Sequence, residues 1–208
     1  MRTFNRVKVL LAGACMMTGL AAWGQQAGNQ TKVASVQIDV AAVYNPTMSN
    51  VVGGNNFWMQ AGSLQFHGQF WHGLGVVADF SGLHTSNTGG PYGGVGLDLF
   101  TTTFGPRYTW SPAHRRYSIF SQALVGEANG MNSLFPNTTG ASDSANSLAL
   151  YVGGGVNYSL KHHLALRAFE AEWLRTQMPN ATNNVQNNLR LGAGLIYDFK
   201  RRETNKTR

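Results

Sequence analysis

Charge is what this sequence has least of. Only 12% of its 208 residues are Asp, Glu, Lys or Arg, about half the share of an ordinary soluble domain. A disordered chain would need low hydrophobicity and high charge, and this one is 43% hydrophobic, so disorder is excluded. Cysteine is almost absent. Cys15 stands alone, which rules out a disulfide framework and a Cys-ligated zinc site, since both need several thiols. A helical period is missing, and no apolar run reaches the roughly 20 residues that a membrane-spanning helix needs. What the chain does have is 25 glycines and many short alternating segments rich in Val, Leu, Tyr, Phe and Thr. Alternation is the signal of strands, and the length fits one domain.

The net charge of +7 invites a nucleic-acid reading until the charges are located. Arg2, Arg6 and Lys8 precede the apolar stretch Val9 to Ala22, which ends in Ala22-Trp23-Gly24. That is the layout of a secretory signal peptide over residues 1–24. Cys15 lies inside its apolar run and leaves with it, so the exported chain begins at Gln25 without cysteine. Lys200, Arg201, Arg202, Lys206 and Arg208 crowd the last nine residues. Eight basic and eight acidic residues remain in the body, which is formally neutral, and no nucleic-acid partner is expected.

Eight strands are predicted, at about Ser35 to Tyr44, Phe57 to Phe70, Leu74 to Thr85, Leu97 to Trp110, Tyr117 to Ala128, Ser147 to Leu160, Leu164 to Trp173 and Asn188 to Phe199. Most match the roughly 9–11 residues that a tilted strand needs to cross a bilayer. Long polar segments follow the odd strands: Asn45 to Asn56, Ser86 to Gly96, Asn129 to Asn146 and Leu174 to Asn187. Short ones follow the even strands: Trp71-His72-Gly73, Ser111 to Arg116 and Lys161-His162-His163. Sorting of loops by parity is expected when alternate turns face the periplasm and the cell exterior.

Each predicted strand has one apolar and one polar face. In the second, Leu64, Phe66 and Phe70 oppose Ser63, Gln65, His67 and Gln69. In the last, Leu189, Leu191, Ala193, Leu195, Tyr197 and Phe199 oppose Asn188, Arg190, Gly192, Gly194 and Asp198. A soluble barrel would turn the apolar face inward and need a charged exterior. An outer-membrane barrel turns it to lipid, and so needs few charges. Phe70, Trp71, Tyr108, Trp110 and Tyr158 recur at strand ends on the short-turn side and Trp173 near the other, the placement of an interfacial aromatic girdle.

The Gly105 to Tyr108 stretch, the run Gly153-Gly154-Gly155-Val156-Asn157-Tyr158, the pair Leu166-Arg167, and Asn188-Leu189-Arg190 leading to Phe199 together resemble the eight-stranded outer-membrane β-barrel family. That family includes the transmembrane domain of outer membrane protein A and the opacity-type proteins. The resemblance covers nearly the whole exported chain and implies an all-β, closed antiparallel barrel at 35–199, preceded by a periplasmic segment at 25–34 and followed by a basic periplasmic tail at 200–208. It also implies an assembly signal, Gly194, Tyr197 and Phe199, read by the outer-membrane insertion machinery. Gly192 and the tail depart from that signal. The expected surroundings are outer-membrane lipid and lipopolysaccharide, and the expected state is a monomer.

Asp39, Asp79, Arg107, Arg167, Arg190 and Asp198 fall on polar faces and would enter the lumen as a structural ion network, because a desolvated charge must be paired. Glu170 and Glu172 cannot share a face with Arg167 in regular alternation, so a bulge is expected in the seventh strand, with one glutamate near the rim. A second bulge is expected at Pro106, which cannot donate to the ladder. His84-Thr85-Ser86-Asn87 resembles the His-x-Ser-Asn motif of lipid A deacylases, but no acid is placed by spacing to orient the histidine, and Ser and Asn are ordinary turn residues. No catalysis, cofactor or metal is expected. The leading reading is a structural and surface-interaction barrel; a narrow pore and a lipid A hydrolase are the alternatives.

Overall fold

The computed structural model describes residues 36–50, 56–88, 95–138, 140–180 and 183–199. The signal peptide with Cys15, the 25–34 segment and the basic tail lie outside the described residues. The strands are β1 (Gln37–Tyr44), β2 (Thr47–Ser49), β3 (Phe57–Trp71), β4 (Leu74–Thr85), β5 (Leu97–Trp110), β6 (Tyr117–Met131), β7 (Phe135–Asn137), β8 (Gly140–Ser142), β9 (Ala145–Lys161), β10 (Leu164–Thr176) and β11 (Gln186–Asp198).

Every neighbour in the main sheet is antiparallel, in the order β1, β11, β10, β9, β6, β5, β4, β3, and a β1–β3 pairing closes the ring. β2 prolongs β1 beyond Asn45-Pro46 and pairs with the same two neighbours, β11 and β3. The two therefore form one interrupted strand, and the barrel has eight. Closure leaves no edge to aggregate or to seek a partner. β7 and β8 form a separate hairpin in the connection that the sequence marks only as polar.

Short turns join β3 to β4, β5 to β6 and β9 to β10. In the first, His72 and Gly73 both have positive φ, 41° and 91°, as a two-residue hairpin turn with matching twist requires. A Cβ at Gly73 would also lie 2.3 Å from the Thr109 carbonyl oxygen, so glycine is demanded there twice. The opposite end carries the long connections.

Two irregularities were expected, and one is present. In β10 the register shifts between Arg167 and Phe169 against β9, and between Arg167 and Glu170 against β11. At Pro106 the register does not shift. β4 pairs with β5 without interruption through Val76↔Pro106, and the β5–β6 register is the same on both sides of Gly105-Pro106, from Phe104↔Val125 to Arg107↔Gln122. A missing donor interrupts a ladder locally; it moves the register only if the chain adds a residue.

Outward side chains form a continuous apolar belt. Ile38, Leu64, Phe66, Val76, Phe104, Ile119, Val125, Val152 and Leu195 are all exposed. The core is the lumen, and it has two tiers. The charged side chains lie on the short-turn side, whereas Phe57, Met59, Leu83, Leu97, Leu99, Leu124, Ala149 and Leu174 pack together toward the long loops, beside the buried polar Thr47, Ser49, Gln186 and Asn188. The inward face is therefore not polar throughout, which corrects the expectation of one polar face per strand. Phe135 of β7 and Met178 of the β10–β11 connection, both buried, reach into this apolar tier.

Candidate functional site

Inward positions on successive strands lie at similar heights, so residues far apart in sequence converge on the axis. Arg107 (β5), Arg167 (β10) and Arg190 (β11) are among the most deeply buried large side chains of the protein. Arg190 Nη2 lies 3.0 Å from Asp79 Oδ2 and 3.7 Å from Glu170 Oε1, and its Nε lies 3.3 Å from Glu172 Oε2. Arg167 Nη1 meets Glu170 Oε2 at 2.5 Å, and its Nε donates to Asn157 Oδ1 at 3.1 Å.

Gln65 of β3 joins these pairs. Its Nε2 donates to Asp79 Oδ2 at 2.9 Å and to Glu170 Oε1 at 3.2 Å. Its Oε1 accepts from Arg107 Nη2 at 2.5 Å and also from Arg167 Nη1. Arg107 Nε donates to Gln122 Oε1 at 2.7 Å, and Gln122 Nε2 donates on to Glu172. Arg107 and Arg167 converge on the one oxygen of Gln65. Their guanidinium carbons lie 4.6 and 4.5 Å from the ring centre of Phe120, whose negative face offsets part of their repulsion.

Asp39 and Asp198 stand apart, toward the short-turn end. Asp39 accepts from His67 Nδ1 at 2.8 Å, and Asp198 accepts from Gln37 Nε2 at 3.4 Å. His67 fits because Gly75 faces it: a Cβ there would lie 2.6 Å from His67 Nε2. Four of the six residues expected in the lumen network thus converge, Asp79, Arg107, Arg167 and Arg190, while Asp39 and Asp198 bond instead to His67 and Gln37. One of Glu170 and Glu172 was expected near the rim. Both are buried in the network, because the β10 bulge turns Ala168 and Phe169 outward together and brings Glu170 back to the face of Arg167. Gln65, Gln122 and Phe120 are the further members that the strand faces alone did not single out.

Side chains of the expected assembly signal lie on β11 and just beyond it. A Cβ at Gly194 would meet the Ala42 carbonyl oxygen at 2.2 Å, and Tyr197 and Phe199 stack edge to face with ring centres 5.3 Å apart. Of the girdle aromatics, Phe70, Trp71, Tyr108, Trp110, Tyr158 and Trp173 all point outward and are exposed. Trp173 Nε1 donates to Asn187 Oδ1 at 3.2 Å.

A second cluster lies on the outside, at the long-loop ends of β4 and β5 and above the apolar belt. His84 Nδ1 donates to Asp98 Oδ1 at 2.6 Å, and Asn132 donates to the other carboxylate oxygen. His84 and Asn132 thus engage both oxygens of the Asp98 carboxylate. The histidine of the His-Thr-Ser-Asn stretch is therefore oriented by an acid, contrary to the expectation from spacing. The strand pairing His84↔Asp98 brings it there.

No family model matches this chain, and no curated protein matches it. Solved structures do. Neisserial surface protein A (NspA) aligns over 79% of this chain and 97% of its own length, at 15% identity and a TM-score of 0.56. OprG from Pseudomonas aeruginosa aligns over 83% and 100%, at 14% identity and a TM-score of 0.46. The N-terminal β-barrel domain of Pseudomonas aeruginosa OprF aligns over 79% and 100%, at 12% identity and a TM-score of 0.46. The likeness to NspA shows a shared fold, the closed eight-stranded β-barrel.

Proposed function

We propose that the chain is an integral protein of a bacterial outer membrane, exported by its cleaved signal peptide and inserted by the barrel assembly machinery through Gly194, Tyr197 and Phe199. Its short turns lie in the periplasm and its long connections outside the cell, where they meet an extracellular partner. It acts as a structural and surface-interaction barrel, a monomer in lipid and lipopolysaccharide, without catalysis.

The observation that carries this reading is the filled lumen. A water-filled pore needs open space along the axis, and here a cross-linked ionic tier is followed by a tier of buried side chains that includes Phe135 and Met178. Heat-modifiable migration of the folded protein in the outer-membrane fraction tests the location, and planar-bilayer recordings test the lumen. Sustained, reproducible current steps overturn the plugged-barrel reading.

A second reading, a lipid A hydrolase, gains from the His84–Asp98 pair, since a histidine base needs an orienting group. Ser86, two residues beyond His84, would be the nucleophile. Lipid A mass profiles that are the same for the wild type, for Ser86→Ala and for cells lacking the protein eliminate it.

A further inference from the structure

Charge on the outside of the barrel is sorted by end. The outward acids Asp98, Glu127 and Asp143 lie toward the long loops. The short-turn end has the opposite sign: Arg115 and Arg116 in the β5–β6 turn and Lys161 at the end of β9 are all exposed. Among the described residues, the carboxylates at this end are Asp39 and Asp198. Both are buried, and they accept from His67 and Gln37. Among the described residues none forms an ion pair with Arg115, Arg116 or Lys161, so their charge is on offer to a ligand.

The three belong to one patch because their turns touch. β6 and β9 are neighbours around the ring, and the Ser159 N–H, two residues before Lys161, donates to the Arg116 carbonyl oxygen at 2.7 Å. The patch is also local. The β3–β4 turn ends in the same kind of exposed aromatics, Phe70 and Trp71, but His72-Gly73 brings no Lys or Arg.

Directly below the patch, the outer face of the β6–β9 seam is suited to lipid. Tyr117↔Tyr158 is its first outward pair and Ile119↔Val156 the next, with Trp110 of β5 opposite Ile119. Tyr117, Tyr158, Trp110 and Ile119 are exposed. Tyrosine and tryptophan settle at headgroup level in a bilayer. The cations above them therefore stand where lipid phosphates lie, and the aliphatic pair stands where the chains begin.

We propose that this seam binds a phospholipid of net negative charge, the phosphatidylglycerol class, in the periplasmic leaflet. Arg115, Arg116 and Lys161 receive its phosphate, and its chains lie over the Tyr117–Tyr158 and Ile119–Val156 pairs. A guanidinium meets phosphate oxygens through two parallel hydrogen bonds. An ethanolamine headgroup brings its own ammonium beside the phosphate, which three unpaired cations repel. The proposal rests on the reading that the apolar belt lies in a bilayer with the short turns in the periplasm.

The test is native mass spectrometry of the full chain released from nanodiscs that hold equal amounts of phosphatidylglycerol and phosphatidylethanolamine. Retention of phosphatidylglycerol over phosphatidylethanolamine is expected. Arg116→Gln lowers that retention about fivefold, the worth of one basic side chain at a membrane surface. Arg115→Gln, Arg116→Gln and Lys161→Gln together abolish the preference. Arg175→Gln, which removes a cation at the long-loop end of β10, leaves it intact, and so does glutamine at Lys200, Arg201, Arg202, Lys206 and Arg208 of the tail. Equal retention of the two lipids, a preference that survives the triple variant, or an equal loss from Arg175→Gln or from the tail variant overturns the proposal. A barrel that fails to insert into nanodiscs overturns the membrane reading instead, and heat-modifiable migration of each variant separates the two failures.

Discussion

Glu170 and Arg167 are three positions apart on one strand, yet Glu170 Oε2 lies 2.5 Å from Arg167 Nη1, and both side chains are buried. In a regular strand residues three apart point to opposite faces. The bulge at Ala168-Phe169 converts that offset into a facing pair, and the same carboxylate then reaches Gln65 and Arg190. Removing one partner of a buried ion pair leaves an uncompensated charge, which costs about 3–5 kcal/mol. Glu170→Ala should therefore destabilise the barrel by that amount in urea unfolding from lipid vesicles. Arg167→Met combined with Glu170→Leu, which removes both charges, should cost less than Glu170→Ala alone.

Gln65 carries no charge, but it receives Arg107 and Arg167 on one oxygen and gives its amide to Asp79 and Glu170. An amide offers two donor hydrogens and a two-lone-pair acceptor on one side chain, and all four partners use them. Gln65→Leu preserves the approximate volume and strands the groups around it, each buried orphan costing about 1–3 kcal/mol. Gln65→Glu keeps the acceptors for the arginines but sets a third acid against Asp79 and Glu170. Both variants should unfold at lower urea than wild type, with Arg107→Met rescuing part of the loss in Gln65→Leu and none in Gln65→Glu.

Much of this was legible in the chain itself, because the period of two is unambiguous where every second residue must meet lipid. Loop parity told the ends apart, and the offset of Glu170 from Arg167 announced the bulge. What strand faces do not carry is height. Asp39, Asp79, Asp198 and the three arginines share one inward face, but only register decides that Asp79 meets Arg190 whereas Asp39 meets His67. The apolar tier was hidden for a related reason. Phe57, Met59, Leu97 and Leu99 sit at strand ends, where one or two residues cannot establish a face, and Phe135 and Met178 come from connections with no periodicity. The acid on His84 was missed because Asp98 is its neighbour across strands, not along the chain.

Phe135 is 1% exposed although it belongs to a connecting hairpin, and a Cβ at Gly130 would touch its ring at 2.6 Å. Met178 beside it is tied down by Gln186, whose Oε1 accepts from the Met178 N–H and whose Nε2 donates to the Met178 carbonyl, both at 2.8 Å. Truncating a buried phenylalanine costs about 3–5 kcal/mol, so Phe135→Ala should lower the temperature at which the folded band is lost. It should not open a pore, because the ionic tier lies beneath. Planar-bilayer recordings of Phe135→Ala should remain as silent as those of the wild type, and sustained steps from this variant alone would place the seal in the apolar tier.

The position of the belt in lipid has a direct energetic consequence at Phe104, which is 61% exposed near the middle of β5. If water bathed this face, Phe104→Arg would be a surface exchange worth within about 0.5 kcal/mol of nothing. In a bilayer, arginine at the midplane of a barrel costs about 2–4 kcal/mol, falling to about 0–1 near the interface. Met131 provides the internal standard: it also points outward and is exposed, but it pairs with Asp98 at the long-loop end. Unfolding in urea from vesicles should therefore show a large loss for Phe104→Arg and a small one for Met131→Arg. Equal losses at the two positions would mean that the apolar exterior does not face lipid, whatever the shape of the barrel.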